Sequence, residues 1–328
     1  MANIVLGMGT PHSPQLSTPP ELWSEHAKRD MNNPALHAPD GKVYTYEQLL
    51  DMTDPAMEQE LTPEKFAARY EACQQGIASL SVAFAEANLD ALIIMGNDQQ
   101  EQFHDDNMPA LAAYWGETIK NVPPHVPENA PASRKASAWG WAADREIDYP
   151  VQHRLSLHVI ESLMEEQFDV AHTRRLPQGM GMAHAFGFVY QRIMAPQQTP
   201  TIPLMINTYY PPNQVTPQRC YEFGRAVRRA VESWDEDLRV GVIASGGLSH
   251  FVVDENLDMT TIDAFRNRDA DTLCNLPREK LNSGNSEIRN WIAAAGASEH
   301  LNARLLDYVP CYRSPAGTGC GMGFVAWE

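Results

Sequence analysis

Positive charge is scarce in this chain: 25 Lys and Arg stand against 42 Asp and Glu in 328 residues, a formal net charge of −17. Such a field disfavours nucleic acid and anionic membrane surfaces as partners, although a local Arg can still attract a small anion. Long uncharged apolar runs are also missing, and the mean hydropathy is −0.39, so no transmembrane helix is expected. The first residues, Met1-Ala2-Asn3-Ile4-Val5-Leu6, lack the basic n-region and cleavage site of a secretory leader, and a cytoplasmic protein is expected. Only five cysteines occur (Cys73, Cys220, Cys274, Cys311 and Cys320), an odd number without a CxxC pair. That excludes a disulfide framework and a thiolate zinc site, and leaves inert thiols in a reducing compartment. Walker A, GxGxxG and HExxH motifs are absent, which removes the sequence case for nucleotide binding and for a zincin. A nucleophile elbow is absent too, because Gly246-Gly247-Leu248-Ser249-His250 places His where the second Gly of GxSxG belongs.

What is present is an ordinary globular composition, 43% hydrophobic and 20% charged, in a chain long enough to bury a sizeable core. Asn3 to Gly9 reads as a short buried strand ending in Thr10-Pro11-His12-Ser13-Pro14. Residues 15–60 are rich in Pro, Asn and Asp and read as loops with one or two short helices. Phe66, Tyr70, Cys73, Ile77, Leu80 and Phe84 recur at helical steps, so 63–88 is a helix with Pro63 in its first turn. Residues 91–95, 202–209 and 240–244 read as strands; 151–167, 182–194, 217–233, 260–270 and 285–296 read as helices; 121–149 reads as a surface excursion. Alternating strands and helices predict an α/β fold, one domain spanning 1–328 with a central, mostly parallel sheet flanked by helices. Ligands in such folds sit beyond the C-terminal strand ends, where His12, Asp98-Gln99 and Ser249-His250 fall.

Each candidate carries two readings. His12, stiffened by Pro11 and Pro14, is either a positioned ligand or a strand-end cap bonded to backbone. Glu287 begins a helix, where a carboxylate is favoured by the macrodipole alone. Trp291, four residues on, places Glu287 on an inward face, where a buried carboxylate needs a partner such as a metal ion. His250 follows a Gly-Gly pair and can transfer protons near neutral pH. His184 heads an apolar helical stretch, as a satisfied core histidine or as a site residue. A mixed His/carboxylate set without thiolates suits non-haem iron, manganese or zinc.

Taken in order, the segments resemble the class III extradiol dioxygenases, the catalytic-chain family of protocatechuate 4,5-dioxygenase and gallate dioxygenase. The resemblance runs through Thr10-Pro11-His12-Ser13-Pro14, Asn97-Asp98 with Phe103, Asn107-Met108-Pro109 and Met182-Ala183-His184. It continues through Asn207-Thr208-Tyr209-Tyr210-Pro211-Pro212, Arg219-Cys220, Ser245 to His250, Glu287 with Trp291 and Gly296-Ala297, and Tyr312 with Pro315-Ala316. It implies Fe(II)-dependent cleavage of a phenolic acid of the protocatechuate, gallate or methylgallate type with O₂. His12 and Glu287 fall on metal ligands, His250 on the acid/base and His184 on a second active-site histidine. A carboxylated substrate calls for an Arg; Arg313, with Tyr312 beside it, is assigned to substrate, and Arg174 and Arg175 are further candidates.

One departure stands out. The family places Asn-Asp-His at the second ligand, and this chain has Asn97-Asp98-Gln99. A neutral amide oxygen is a poorer ligand than imidazole. Gln99 then either coordinates or holds a metal-bound water, or His104 replaces it, or the scaffold serves a non-oxidative metal-dependent lyase or hydrolase, or a relative without catalysis. The stretch from His12 to Gln99 is also longer than in the protocatechuate enzyme, whose small partner subunit covers its active site. Residues 15–60 are therefore expected to form a built-in lid or an oligomer contact, in a homodimer or higher homo-oligomer.

Overall fold

A computed structural model describes residues 1–328. The strands are β1 (Asn3–Thr10), β2 (Leu36–His37), β3 (Val43–Tyr44), β4 (Ala91–Gly96), β5 (Leu111–Tyr114), β6 (Thr118–Asn121) and β7 (Ile147–Pro150). They continue with β8 (Ala171–Thr173), β9 (Thr201–Ile206), β10 (Arg239–Ser245), β11 (His250–Val252), β12 (Ala303–Tyr312) and β13 (Thr318–Trp327). The helices are α1 (Trp23–Asp30), α2 (Tyr46–Met52), α3 (Pro63–Glu86), α4 (Ala132–Ser137) and α5 (His153–Glu165). They are followed by α6 (His184–Phe188), α7 (Pro217–Glu232), α8 (Glu255–Asn267), α9 (Ala270–Cys274) and α10 (Ile288–Ala297).

Nine strands form one mixed sheet in the order β11-β13-β1-β10-β4-β9-β5-β8, with β12 on β13. Its centre, β1-β10-β4-β9, is parallel throughout, and only β5, β8 and β13 run against that direction. The α/β expectation with a mostly parallel sheet therefore holds. Alternation along β4 explains the two layers. Ile93 and Met95 join the core formed with α5, α7 and α10, while Leu92 and Ile94 join the core on the α3 side. A strand buried on both faces has no polar side to show, hence its unbroken apolar sequence. No helix is long and apolar enough to cross a membrane.

Several expectations needed adjustment. The helix expected at 182–194 begins at His184 and widens to π geometry over Val189–Met194. The helix expected at 285–296 is a 3₁₀ turn, Ser283–Glu287, before α10 starts at Ile288. The excursion at 121–149 contains part of the β6–β7 hairpin and α4, and it helps wall a cavity. The long β12–β13 hairpin was not anticipated. Gly319, Gly321 and Gly323 dilute its apolar pattern, and Pro310 interrupts the partner strand.

One close approach fixes the site to the sheet. Trp291 of α10 is fully buried, its Nε1 donates to Gly246 O at 2.8 Å, and its ring lies over Gly9 of β1. A Cβ at position 9 would stand 2.1 Å from the Trp291 ring, so glycine alone permits α10 to sit this low. Gly9→Ala is expected to destabilise the protein by about 1–3 kcal/mol, as an overpacked core substitution does. Urea denaturation of the variant, with the slope unchanged and the midpoint lowered, checks this.

Candidate active site

All four central parallel strands end at one cavity. His12 follows β1, Gln99 follows β4, Tyr209 follows β9, and Gly247 follows β10 just before β11 brings in His250; all line a chamber of about 100 Å³ with Glu287. Asp98 shapes the turn after β4: its carboxylate accepts from the backbone N–H of Glu101, Gln102 and Phe103 at 3.0–3.1 Å. That turn aims Gln99 at Glu287 and Glu101 at His184.

Glu287 is 1% exposed, yet no Lys or Arg reaches it. Its Oε1 accepts from Gln99 Nε2 at 2.9 Å and Asn97 Nδ2 at 3.2 Å, and lies 3.3 Å from His12 Nε2. Its Oε2 accepts from the Gly247 N–H at 2.7 Å and lies 3.5 Å from His250 Nε2. Burial pushes the carboxyl up, but the adjoining His12 and His250 rings, which would be attracted to it if protonated, and the Gly247 N–H outweigh this and hold it far below the usual carboxylate range.

The tautomers follow from the partners. Ser245 Oγ donates its only hydrogen to Ala185 O at 2.6 Å, so it accepts from His12 Nδ1, 3.1 Å away. His12 is thus held by a side chain and not by a backbone carbonyl. Its Nε2 faces the Glu287 carboxylate at 3.3 Å, and two such atoms this close require a cation between them, a proton on the ring or a metal ion. The spacing fits a metal: two donors about 2.1 Å from a common ion at right angles stand about 3 Å apart. Only these two fit as they stand. No group of three or more His, Cys, Asp or Glu side chains is arranged to hold a metal ion. Beside them stands the Gln99 amide, which donates to Glu287 here and would offer its oxygen after a half-turn of the terminal bond.

His250 donates from Nδ1 to Leu248 O at 2.9 Å, which leaves Nε2 bare. Burial lowers its pKa and the Glu287 charge offsets this only in part, so it is neutral. Its position is tight: a Cβ on Gly284 would lie 2.1 Å from His250 O. His184 has the opposite environment. Its Nδ1 donates to Glu101 Oε1 at 2.5 Å and its backbone N–H to Oε2 at 3.0 Å. Burial alone would lower its pKa, but the Glu101 charge and hydrogen bond outweigh that and bring it to about 9. The His12 and His184 rings meet edge to face, centroids 4.7 Å apart. One site thus holds a neutral and a cationic imidazole, the pattern of a base and an acid.

The structure brings His12, Gln99, His184, His250 and Glu287 together, but not every sequence candidate. Arg313 borders the chamber with its guanidinium committed: Nε and Nη2 donate to Asp30 at 2.7 and 2.8 Å, and Nη1 to Gln15 Oε1 at 3.2 Å. Tyr312 donates to Glu255 Oε1 at 2.6 Å and lines neither chamber. His104 is exposed and bonds through its backbone N–H to Asn107. Arg174 and Arg175 line a separate cavity. Glu101 and Arg29 were missed; for Glu101 the available signal was a carboxylate two residues beyond Gln99 on the same turn.

An outer chamber of about 790 Å³ opens onto the inner one, and Pro14, His26, Arg29, Gln99 and His184 border both. Its walls include residues of α1 and α4, so part of the 15–60 segment borders this chamber.

Comparison with known proteins places the chain in a family. The family profile described as the catalytic LigB subunit of aromatic ring-opening dioxygenase matches residues 54–317, a stretch containing Gln99, His184, His250 and Glu287 but not His12. A gallate dioxygenase of Pseudomonas putida is 37% identical over 100 residues, 30% of this chain and 28% of that protein. A 2,3-dihydroxyphenylpropionate/2,3-dihydroxicinnamic acid 1,2-dioxygenase of Comamonas testosteroni is 25% identical over 179 residues, 55% of this chain and 49% of that protein. The chain therefore spans about a quarter to a half of the length of these curated relatives.

The His184–Glu101 pair makes a pH-dependent prediction for metal-free protein. A histidine raised from 6.5 to about 9 on folding contributes stability fully below pH 6.5 and loses it as pH rises through 9. Allowing for partial solvent screening, thermal melts between pH 7 and 10 should show a loss of about 2 kcal/mol. Glu101→Gln should abolish that slope.

Proposed function

Since this chain belongs to the family of the catalytic LigB subunit of aromatic ring-opening dioxygenases, we propose that it performs extradiol cleavage of a phenolic acid with O₂, using Fe(II). The observation that carries this reading is His12 Nε2 facing, at 3.3 Å, a buried Glu287 carboxylate that no Lys or Arg reaches, with a neutral His250 alongside. A buried carboxylate without Lys or Arg is costly unless a cation joins it. His12 and Glu287 would hold the iron, with Gln99 supplying its amide oxygen or a bound water as the third donor. Bound there, Fe(II) supplies a charge that acidifies the diol and coordination positions for substrate and O₂.

The protein's own part is proton traffic and exclusion of water. His250 Nε2 is unprotonated and borders the inner chamber, so it can accept a proton from a substrate hydroxyl. His184 is cationic and borders the same chamber, so it can hydrogen-bond to developing oxygen charge and return a proton. Asn285, which accepts from the His250 backbone N–H at 2.7 Å, keeps the base in place. The inner chamber is small, comparable to a cavity that holds a single benzene-sized ring. Both named relatives act on hydroxylated aromatic acids, which supports the substrate class.

Three measurements test the reading. After anaerobic reconstitution the protein should retain about one iron per chain, and His12→Ala or Glu287→Gln should reduce this to background by elemental analysis. Gln99→His should tighten iron binding at least about tenfold, since imidazole is the better ligand. Oxygen electrode traces with 3,4-dihydroxybenzoate and gallate should show one O₂ consumed per ring opened, with His250→Ala lowering kcat by about 10²–10⁴. Iron-loaded protein that consumes no O₂ with any diol acid would refute ring opening.

A further inference from the structure

The inner chamber holds two guanidinium groups, and only one is free. Arg313 spends its donors on Asp30 and Gln15. Arg29, the neighbour of Asp30 in the last turn of α1, has no side-chain hydrogen bond or ion pair, and it borders both chambers. Its carboxylate neighbours are already engaged: Glu25 accepts from the Ser133 N–H at 2.9 Å and Glu101 is bound to His184. Nor does Arg29 hang from a mobile segment. Trp23, Ala27 and Asp30 bury one face of α1, the Trp23 ring packs 5.4 Å from Phe66, and Asp30 also accepts from Thr318 Oγ1 at 2.7 Å. Residues at that spacing share a face, so 25, 26, 28 and 29 face the cavity side, where all four line its wall.

We propose that Arg29 is the specificity-determining residue that receives the carboxylate of an aromatic acid whose hydroxylated edge lies in the inner chamber. This rests on the ring-opening reading for the identity of the hydroxylated edge, while the carboxylate contact stands on the free guanidinium at the chamber mouth. A planar fork with all its donors unclaimed matches a carboxylate in two parallel hydrogen bonds, which Lys cannot reproduce. Lys28 and Arg134 line only the outer chamber and draw anions inward despite the net charge of −17.

The test compares two ligands that differ only in the carboxylate. Isothermal titration of anaerobic protein with 3,4-dihydroxybenzoate and with 1,2-dihydroxybenzene should show the acid binding at least about tenfold more tightly. Arg29→Gln should remove most of that advantage, change binding of the uncharged diol less than about twofold, and leave the melting temperature unchanged. Arg29→Lys should recover part of it. Equal wild-type affinity for both ligands, no binding of either, or an Arg29→Gln variant that keeps the acid or loses both ligands alike overturns the proposal. Oxygen uptake recorded in parallel separates the two readings. An Arg29-dependent preference without O₂ consumption leaves the carboxylate contact standing and sinks ring opening.

Discussion

A buried carboxylate without a cationic side chain organises this molecule. Glu287 sits at the base of the cavity, and the groups around it come from three central strand ends, β1, β4 and β10. Amide and backbone N–H groups stabilise its charge without neutralising it, and two imidazoles complete its surroundings. Because α10 carries Glu287 at its head, the Trp291–Gly9 contact and the Trp291–Gly246 hydrogen bond decide where that charge lies relative to His12. Packing and electrostatics are thus coupled: a shift of α10 by a fraction of an ångström would separate the carboxylate from all its donors together.

The imidazoles show how one environment sets different protonation states within a few ångströms. His12 and His250 are oriented by acceptors that take their Nδ1 hydrogens, and both turn Nε2 inward. His184 faces a carboxylate and stays charged. Gln99 is the less conventional element. An amide offers either a donor or an acceptor to the same spot, so it can bond to the free carboxylate or turn its oxygen to a cation. In this structure it is the amide N–H₂ that faces Glu287.

Much of this was legible in the sequence because it depends on local pattern. Strand ends announced His12 and His250, the Glu287–Trp291 spacing announced an inward carboxylate, and the periodicity of Phe66 to Phe84 announced α3. What escaped depends on partners distant in sequence. That Arg313 is tied to Asp30, 283 residues away, cannot be read from either neighbourhood, and this pairing is what separates a committed guanidinium from a free one. The Glu101–His184 pair spans 83 residues and is equally silent. The β12–β13 hairpin escaped for a different reason: its glycines make room for neighbours such as Asp258 and Leu248, and so erase the apolar alternation that marks a strand.

The seating of α1 also separates two tasks along the chain. The groups that would perform chemistry project from strand ends and the head of α10, whereas one wall of the outer chamber comes from α1, anchored by Trp23 and Asp30. Substitutions on the cavity-facing side of α1 therefore leave both the sheet and its anchors intact. The wall of the outer chamber and the cluster around Glu287 are thus carried by separate stretches of chain, so the first can be altered without unseating the second.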